Sequence, residues 1–255
     1  MTAEKLSTSN PSVMSPAPTV LYPLTLPGLL HYLLTTQSDT CPTLLIVCSS
    51  RDVFIQDLAS SLQNHDRHDT HSLEQLVAPT LHNLLTTRHV KLAFCASVQA
   101  LLAYLTAYGR SGTNLADEAD ERERVVLVNP LALHAPTSFF SAQGLSRCFA
   151  AAAEVALKPG VTLHIVECEG KRGRPDEHND EDADMENDPP EPSAEAQTQD
   201  PWEQEISILN VSARRFGSGS GERAWAGRTT RAKWIAARWF LFHSLENQQP
   251  HADQG

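Results

Sequence analysis

The stretch TLLIVCSSRDVFIQDL, Thr43 to Leu58, decides the fold class of this chain. Its apolar run TLLIV is rich in β-branched residues and is typical of a strand buried on both faces of a sheet. The polar turn after the run leads into a segment in which Val53, Ile55, Leu58 and Leu62 recur at helical spacing and should lie on or near the core-facing side. A strand that leads directly into a helix is the repeating unit of α/β sheets.

The same unit recurs further along the chain. HVKLAFCAS, RVVLVNPLAL and VTLHIVEC predict three more strands, and LTLPGLLHYLLTT predicts a short helix before Thr43. Three longer segments predict the intervening helices: LEQLVAPTLHNLLTT, broken or begun at Pro79, VQALLAYLTAYG, with Gly109 as its C-cap, and SAQGLSRCFAAAAEVALKPG. Strands that alternate with helices of this length predict right-handed crossovers and a parallel sheet covered by helices on both faces.

The composition of the chain changes along its length. Its 255 residues carry a formal net charge of −11, and much of the excess acid lies in DEHNDEDADMENDPPE, Asp176 to Glu191. Such a segment cannot bury enough apolar surface to offset the entropy of ordering. We therefore divide the chain into a Ser/Thr/Pro-rich disordered tail (1–20), an α/β core (21–168), an acidic disordered insert (169–200), strands that complete the core (201–245) and a second disordered tail (246–255).

Cysteine usage and hydropathy indicate the compartment. The five cysteines are odd in number and include no Cys-x-x-Cys pair, so we expect buried thiols in a reducing compartment. The opening MTAEKLSTSNPSVMSPAPTV lacks the basic start and apolar centre of a secretory signal. No apolar run reaches the ~18 residues of a membrane span. The sequence predicts an intracellular, soluble protein.

The apolar pattern changes its period after the acidic insert. ISILNVSARRF, Ile206 to Phe216, predicts a strand, and RTTRAKWIAARWFLFH, Arg228 to His243, is rich in residues that favour strands. We favour a β-hairpin appended to the edge of the sheet. The run AKWIAARWFLF also fits a helix, and that alternative stays open.

The turn after the first predicted strand is where a nucleotide-binding α/β domain carries its phosphate loop. Here it reads Cys48-Ser49-Ser50-Arg51-Asp52, without the glycines that let backbone N–H groups surround phosphates and without the lysine that reaches them. We predict that Ser49 or Ser50 caps the following helix, with Asp52 offsetting its dipole. The alternative is that the two serines and Arg51 hold a lone anion.

Other candidate sites are weaker. RVVLVNPLAL ends in Asn129, where nucleotide-hydrolysing folds carry an acidic residue for magnesium, and an amide is a poorer magnesium ligand. Glu167, after VTLHIV, is predicted to be a solvated strand end. His65, His68 and His71 would bind zinc or nickel only if helical, and a polar loop is favoured. No serine stands in a Gly-x-Ser-x-Gly elbow, so we predict no catalytic residue, no metal ligand and no cofactor.

The basic segment near the C-terminus is the stronger signal for a function. Trp225, Trp234 and Trp239 and a Gly/Ser-rich turn lie among its cations, a combination suited to tracking phosphates and stacking unpaired bases. The alternative is a solvated hairpin face whose tryptophans are core or interface anchors. The candidate nucleic-acid-binding residues are Arg214, Arg215, Arg223, Arg228, Arg231, Lys233 and Arg238.

The order of these elements resembles the RecA-type recombinase core. HVKLAFCASVQALLAYLTAY, VVLVNPLALH and LSRCFAAAAEVALKPGVTLHIVEC are similar in order and spacing to the recombinase run of strand, helix, Walker B strand, helix and strand. ILNVSARRF and RTTRAKWIAARWFLF resemble the closing hairpin of the recombinase paralogues. The resemblance covers roughly Thr43 to His243. It implies an α/β fold with a RecA-like parallel sheet covered by helices on both faces and a C-terminal β-hairpin.

The departures from the family pattern imply a lost activity. CSSRDVF stands in place of Walker A and Asn129 in place of the Walker B aspartate, which implies a pseudo-ATPase. Degenerate relatives include the recombinase-paralogue partners of Shu-type complexes and the RecA-like Elongator accessory subunits. The first resemblance implies a non-catalytic nuclear accessory protein in homologous-recombination DNA repair, which pairs with a recombinase paralogue or other RecA-like subunit and contacts single-stranded DNA. The second implies an accessory subunit in tRNA modification.

Overall fold

Alternating strands and helices build the fold in a computed structural model that describes residues 16–38, 40–65, 78, 80–110, 122–168, 200–208 and 228–245. The strands are Thr19–Tyr22 (β1), Thr43–Val47 (β2), Val90–Phe94 (β3), Glu123–Val128 (β4), Val161–Val166 (β5), Glu205–Ser207 (β6), Thr229–Arg231 (β7) and Leu241–Ser244 (β8). The helices are Leu26–Thr36 (α1), Arg51–His65 (α2), Leu81–Thr87 (α3), Val98–Arg110 (α4), Pro130–His134 (α5), Ala142–Ala156 (α6) and Ala232–Ala236 (α7), with a 3-10 turn at Pro201–Glu203.

Six strands form one sheet in the order β3-β2-β4-β5-β1-β8, and every neighbouring pair is parallel. All five residues of β2 are buried, as the continuous apolar run predicts for a strand covered on both faces. The strands β3 and β8 form the two edges and are more exposed.

Helices cover both faces of the sheet. On the first face α1 and α2 contribute Leu29 and Phe54 to one apolar cluster, and α3 contacts α1. On the second face α4, α6 and α7 contribute Leu101, Phe149 and Ile235 to a larger cluster. The predicted α/β class is therefore confirmed: a parallel sheet is covered by helices on both faces, and a C-terminal β-hairpin is present.

The strand β1 differs from the sequence prediction. Thr19 and Val20 lie in the range assigned to the N-terminal tail, yet Val20 and Leu21 are buried, and β1 pairs with both β5 and β8. The stretch TLLIV is consequently the second strand and not the first. The four residues of β1 have little sequence pattern that indicates a strand, because their pairing partners, in β5 and β8, lie far away in sequence. The rest of that tail (1–15), residues 169–199 of the acidic insert and the tail 246–255 lie outside the described residues.

The C-terminal segment forms a strand, a helix and a second strand. The hairpin β6–β7 is antiparallel and makes a separate two-stranded sheet, so the prediction that it extends the edge of the main sheet is wrong. The edge is instead β8, parallel to β1. Both interpretations of AKWIAARWFLF hold in part, because Ala232, Ile235 and Ala236 are buried in the short helix α7, which packs against α6. The strand predicted over 206–216 is seen at Glu205–Ser207, and residues 209–216 lie outside the described part.

Two helices also differ in detail from the prediction. On α2 it is Phe54 that is buried, whereas Val53 and Ile55 are exposed. The helix α4 continues through Gly109 to Arg110, so Gly109 is not its C-cap. The helix α3 begins after Pro79, with the Thr80 hydroxyl accepting a hydrogen bond from an N–H in its first turn.

Candidate functional site

Ligands of open α/β sheets bind at the carboxyl ends of the strands, where neighbouring strands lead into helices on opposite faces. In this sheet β2 leads into α2 on the first face, and the adjacent β4 leads through α5 into α6 on the second. The turn that follows Val47 and the residue Asn129 therefore mark the position where a ligand would be expected. We call these strand ends, together with those of β1 and β5, the carboxyl edge.

The turn after β2 is bound to the chain itself. The N–H of Cys48 donates to the carbonyl of Val128 at 3.0 Å, which joins the turn to the end of β4. The Ser50 hydroxyl accepts from the N–H of Val53 at 3.3 Å, and the Ser49 hydroxyl donates to the carbonyl of Ser50 at 3.2 Å. Ser50 is thus the helix cap that the sequence predicts.

The turn after β1 is a second position at which a phosphate loop could lie, and the sequence does not predict it because β1 has little local signal. It leads from Tyr22 through Pro23 and Leu24 to Thr25, whose hydroxyl caps α1 by accepting from the N–H of Gly28 at 3.2 Å. This turn contains neither a lysine nor a run of glycines. Neither turn therefore has the composition of a phosphate loop.

Asn129 has a structural role at the end of β4. Its backbone is in the left-handed region, with φ 58° and ψ 43°, a conformation that asparagine tolerates better than most residues. Its N–H donates to the carbonyl of Val166 at 2.8 Å, and its side-chain oxygen accepts from the N–H of Cys168 at 2.7 Å. The amide therefore ties the end of β4 to the end of β5.

Glu167 is the residue at the carboxyl edge that sequence reasoning misjudged. It is 3% exposed and not a solvated strand end. One carboxylate oxygen accepts from the N–H of Leu131 at 2.9 Å and the other from the N–H of Ala132 at 2.8 Å. These N–H groups belong to the first turn of α5, which begins at Pro130. The sequence signal for this contact is limited to an acid directly after β5 and an Asn-Pro helix start directly after the preceding strand, β4.

Burial keeps the thiols of this region protonated. It raises the pKa of Cys48 well above its usual value, with smaller contributions from Cys148 and Glu167. It also raises the pKa of Cys148 to about 12, and burial followed by the charge of Glu167 raises the pKa of Cys168. The thiolate is the reactive form of cysteine, so these groups are poor nucleophiles. All five cysteines are free thiols.

The buried histidine of α5 bonds within its own helix. The imidazole Nδ1 of His134 donates to the carbonyl of Pro130 at 2.7 Å, and burial lowers the pKa of His134. In the part of the chain that the structure describes, no group of three or more His, Cys, Asp or Glu side chains could hold a metal ion. His68 and His71 lie outside that part.

The candidate nucleic-acid-binding residues fall into three groups. Arg214, Arg215 and Arg223 lie outside the described residues. Arg231 and Lys233 contact the carboxylate of Glu203 at 2.7 and 3.5 Å. The Lys233 ammonium also lies 5.6 Å from the ring centres of Tyr22 in β1 and Phe242 in β8. It therefore links Glu203, in the 3-10 turn, to the main sheet. Arg228 and Arg238 are exposed, and neither forms an ion pair with another described residue.

Two tryptophans accompany the exposed arginines. Trp234 is 68% exposed and Trp239 is 39% exposed, unusual values for the largest apolar side chain. The helical turn continues past α7, where the N–H of Ala237 donates to the carbonyl of Lys233 at 2.8 Å. Trp234 and Arg238, four residues apart, consequently share one side of that turn. We call the four exposed residues Arg228, Trp234, Arg238 and Trp239, which lie in the segment 228–239 of the chain, the tryptophan–arginine surface.

Another tryptophan, Trp202, differs from these two. Trp202 is fully buried, with its ring against Phe149 and Phe242 in the core. Trp225 lies outside the described residues. Of the tryptophans that the sequence places among the cations, Trp234 and Trp239 are therefore exposed in the part of the chain that the structure describes.

Comparison with known proteins gives no family. No protein-family model matches the chain, and no curated protein matches it. Among solved structures, a DnaB-like replicative helicase, determined with its interactions with primase, is similar with a TM-score of 0.34 and 11% identity. The match covers 62% of this chain and 42% of the helicase chain. A similarity at this level carries no argument about function.

Within the described ranges, no helix is long and apolar enough to cross a membrane.

Proposed function

We propose that this chain is a non-catalytic RecA-like accessory protein of homologous-recombination DNA repair in the nucleus. In this proposal it pairs with a recombinase paralogue or another RecA-like subunit and contacts single-stranded DNA through the tryptophan–arginine surface. The observation that carries the non-catalytic part is the position of Glu167, whose two carboxylate oxygens occupy the N–H groups at the start of α5.

The carboxyl edge supports an adaptor more than a nucleotide-binding enzyme. Phosphate binding needs backbone N–H groups that point at the ligand, and a carboxylate nearby opposes a second anion. Here the N–H groups of Cys48 and Cys168 bond within the chain, and Glu167 adds a negative charge. At the carboxyl edge, the side chains of Glu167 and Asn129 therefore bond to backbone N–H groups of the protein itself.

The tryptophan–arginine surface supports contact with an unpaired strand. Stacking on aromatic rings tolerates any base, and arginines beside the rings contact the phosphates. Two described acids near the hairpin already have partners, since Glu203 contacts Arg231 and Lys233, and Glu205 accepts from the Thr229 hydroxyl at 3.1 Å. They therefore oppose a phosphate backbone at Arg228 and Arg238 less than unpaired acids would.

The nucleotide part of the proposal is tested by calorimetry. Titration of the full chain with ATP and magnesium should give no heat of binding. Binding in the micromolar range would overturn the non-catalytic proposal.

The nucleic-acid part is tested with a fluorescent oligo-dT and a salt series. The double variant Trp234→Ala with Trp239→Ala should lose binding, and Arg228→Ala with Arg238→Ala should weaken it and reduce the dependence of log K on log salt by about one to two. Arg51→Ala removes an exposed arginine on α2 as a matched control and should bind like the natural chain. Unchanged binding in both double variants would reject this surface.

Partner identity separates the two resemblances. Affinity purification from cells that naturally produce the protein should recover recombinase paralogues. Recovery of tRNA-modifying subunits in their place would favour the Elongator-type function.

A further inference from the structure

The residues that follow the acidic insert pair with the basic segment of the chain. The insert ends at Asp200, and Glu203 follows it in the 3-10 turn. The carboxylate of Glu203 contacts Arg231 at 2.7 Å and Lys233 at 3.5 Å. An acid–base contact between these two parts of the chain is therefore present at the point where the insert ends.

The charges of the insert change sign along its length. Its cations, Lys171, Arg172 and Arg174, come first, and more than half of the residues from Asp176 to Glu191 are aspartate or glutamate. We call residues 176–191 the acidic run. The acidic run therefore lies between these cations and Asp200, on the side of the insert that leads into the hairpin β6–β7.

The hairpin places the start of the basic segment beside the residues that follow the insert. The N–H of Ile208 donates to the carbonyl of Arg228 at 3.0 Å, and the N–H of Ala232 donates to the carbonyl of Gln204 at 3.0 Å. Residues 228–232 are therefore hydrogen-bonded alongside residues 204–208, which begin shortly after Asp200.

Two arginines of the basic segment are still available to further acids. Arg228 and Arg238 are exposed, and neither forms an ion pair with another described residue. Trp234 shares one side of the helical turn with Arg238. The tryptophan–arginine surface is thus positively charged and continuous in the chain with the cations that Glu203 contacts.

The acidic run is close enough in the chain to reach this surface. Eight residues, 192–199, separate it from Asp200. An extended chain of that length spans at most about 30 Å, whereas the mostly helical segment from Ala232 to Trp239 is only about 12 Å long. A tethered segment is present at a roughly millimolar effective concentration, so a weak contact is sufficient.

We propose that the acidic run binds the tryptophan–arginine surface of the same chain and competes there with single-stranded DNA. Its carboxylates take the place of phosphates at Arg228 and Arg238, so the contact weakens DNA binding. Single exposed ion pairs are weak, but the many acids of one tethered run can pair with these arginines in turn. The inference rests on the proposed function in naming DNA as the competitor, whereas the contact itself is tested without DNA.

The first test is photocrosslinking in the purified full chain without DNA. A photoreactive phenylalanine derivative replaces Trp234, and in a matched control it replaces Leu81, an exposed residue of α3 on the first face of the sheet. Mass spectrometry should find adducts from position 234 to residues 176–191, and none from position 81. The yield at position 234 should fall as salt rises from about 0.05 M to about 0.5 M, because salt screens the contact. A mixture of isotopically labelled and unlabelled chains shows whether each adduct lies within one chain.

The second test compares the affinity of two charge variants for the fluorescent oligo-dT. The insert variant neutralises three acids of the acidic run, Asp180→Asn, Glu181→Gln and Asp182→Asn. The control variant neutralises three exposed acids of α2 and α6, Asp52→Asn, Asp57→Asn and Glu154→Gln. Because both variants change the net charge equally, only the loss of competition distinguishes them. The insert variant should bind about threefold more tightly than the control variant and show a steeper dependence of log K on log salt.

A double-mutant cycle assigns the effect to the surface. In a chain that also carries Arg228→Ala and Arg238→Ala, the insert variant should gain much less affinity, because the acidic run has lost the arginines that it covers. An equal gain with and without these arginines would overturn the inference.

The failure of the inference differs from the failure of the proposed function. The inference fails if position 234 gives no adduct with residues 176–191, if the adducts join only different chains, or if the insert and control variants bind oligo-dT equally tightly. In that last case the natural chain still binds DNA and the proposed function stands. If no variant binds oligo-dT, the DNA contact and the competition both fail, and an adduct within one chain then supports the contact of the acidic run alone.

Discussion

Glu167 at the end of β5 bonds to Leu131 in α5, where one oxygen of its carboxylate accepts the backbone N–H at 2.9 Å. The other oxygen accepts the N–H of Ala132 at 2.8 Å. A helix start that points at the carboxyl edge of a parallel sheet is where an anionic ligand would bind in many α/β proteins. In this chain the anion is a side chain of the protein.

Removing that carboxylate should destabilise the fold. Glu167→Ala would leave the buried N–H of Leu131 without an acceptor, at a cost of about 1 to 3 kcal/mol in the free energy of unfolding. Glu167→Gln keeps one acceptor oxygen and should lose less. Urea denaturation measures both, and Glu154→Gln, at an exposed position on α6, should change stability by less than about 0.5 kcal/mol. Equal stability of Glu167→Ala and the natural chain would show that the cap contributes nothing.

Asn129 combines a backbone role with a side-chain role, and two substitutions separate them. Asn129→Gly keeps the left-handed backbone accessible but loses the acceptor for the N–H of Cys168. Asn129→Ala loses the acceptor and also strains the backbone, so it should be less stable than Asn129→Gly by about 1 to 2 kcal/mol. Chemical denaturation of the two variants measures the difference. An alanine variant as stable as the glycine variant would contradict this assignment.

The sequence predicted the strands that carry their own signal. The strand β2 and the last four residues of β4 are continuous apolar runs, and β5 is apolar at four of its six positions, because a strand covered on both faces meets little water. The strand β1 has only Val20 and Leu21 as buried apolar residues, and its conformation depends on pairing with β5 and β8. Such non-local pairing leaves no local pattern to read.

The same distinction applies to the candidate site. The Ser50 cap was predicted because a cap is a local interaction within one turn. Glu167 reaches N–H groups 36 and 35 residues earlier in the chain, and Arg231 and Lys233 pair with Glu203 28 and 30 residues away. The sequence alone therefore gives no reason to distinguish among the seven basic residues. The structure shows that Arg231 and Lys233 are paired with Glu203, whereas Arg228 and Arg238 form no ion pair with a described residue.

Two glycines in helices should respond to alanine with opposite signs. A Cβ at Gly144 would lie 2.1 Å from the carbonyl oxygen of Phe139, so Gly144→Ala forces the backbone apart and should cost about 3 kcal/mol or more. A Cβ at Gly109 would meet nothing within 4 Å, and Gly109 lies inside α4. Gly109→Ala should therefore stabilise the protein by about 0.5 to 1 kcal/mol. Thermal unfolding of both variants checks the pair, and a shift of the same sign in both would refute it.

His164 should make stability fall as the pH drops. Burial, followed by the charges of Arg124 and His243, lowers the pKa of His164 to about 4, and its buried Nδ1 has no hydrogen-bond partner among the described residues. The unfolded chain takes up the proton near its ordinary pKa of about 6.5, whereas the folded chain does not until about pH 4, so acid favours unfolding between these values. The contribution is fully present above about pH 6.5 and is lost as the pH falls towards 4.

The measurement is urea denaturation from pH 7.5 to 4.5 for the natural chain and for His164→Asn, which cannot take up the proton. Carboxylates also titrate at the acid end of this range, so the comparison uses the difference between the two proteins at each pH. The natural chain should lose its stability relative to His164→Asn as the pH falls, because only its unfolded state gains a proton at this position. A difference that stays constant over the whole range would mean that His164 is protonated equally in the folded and unfolded states.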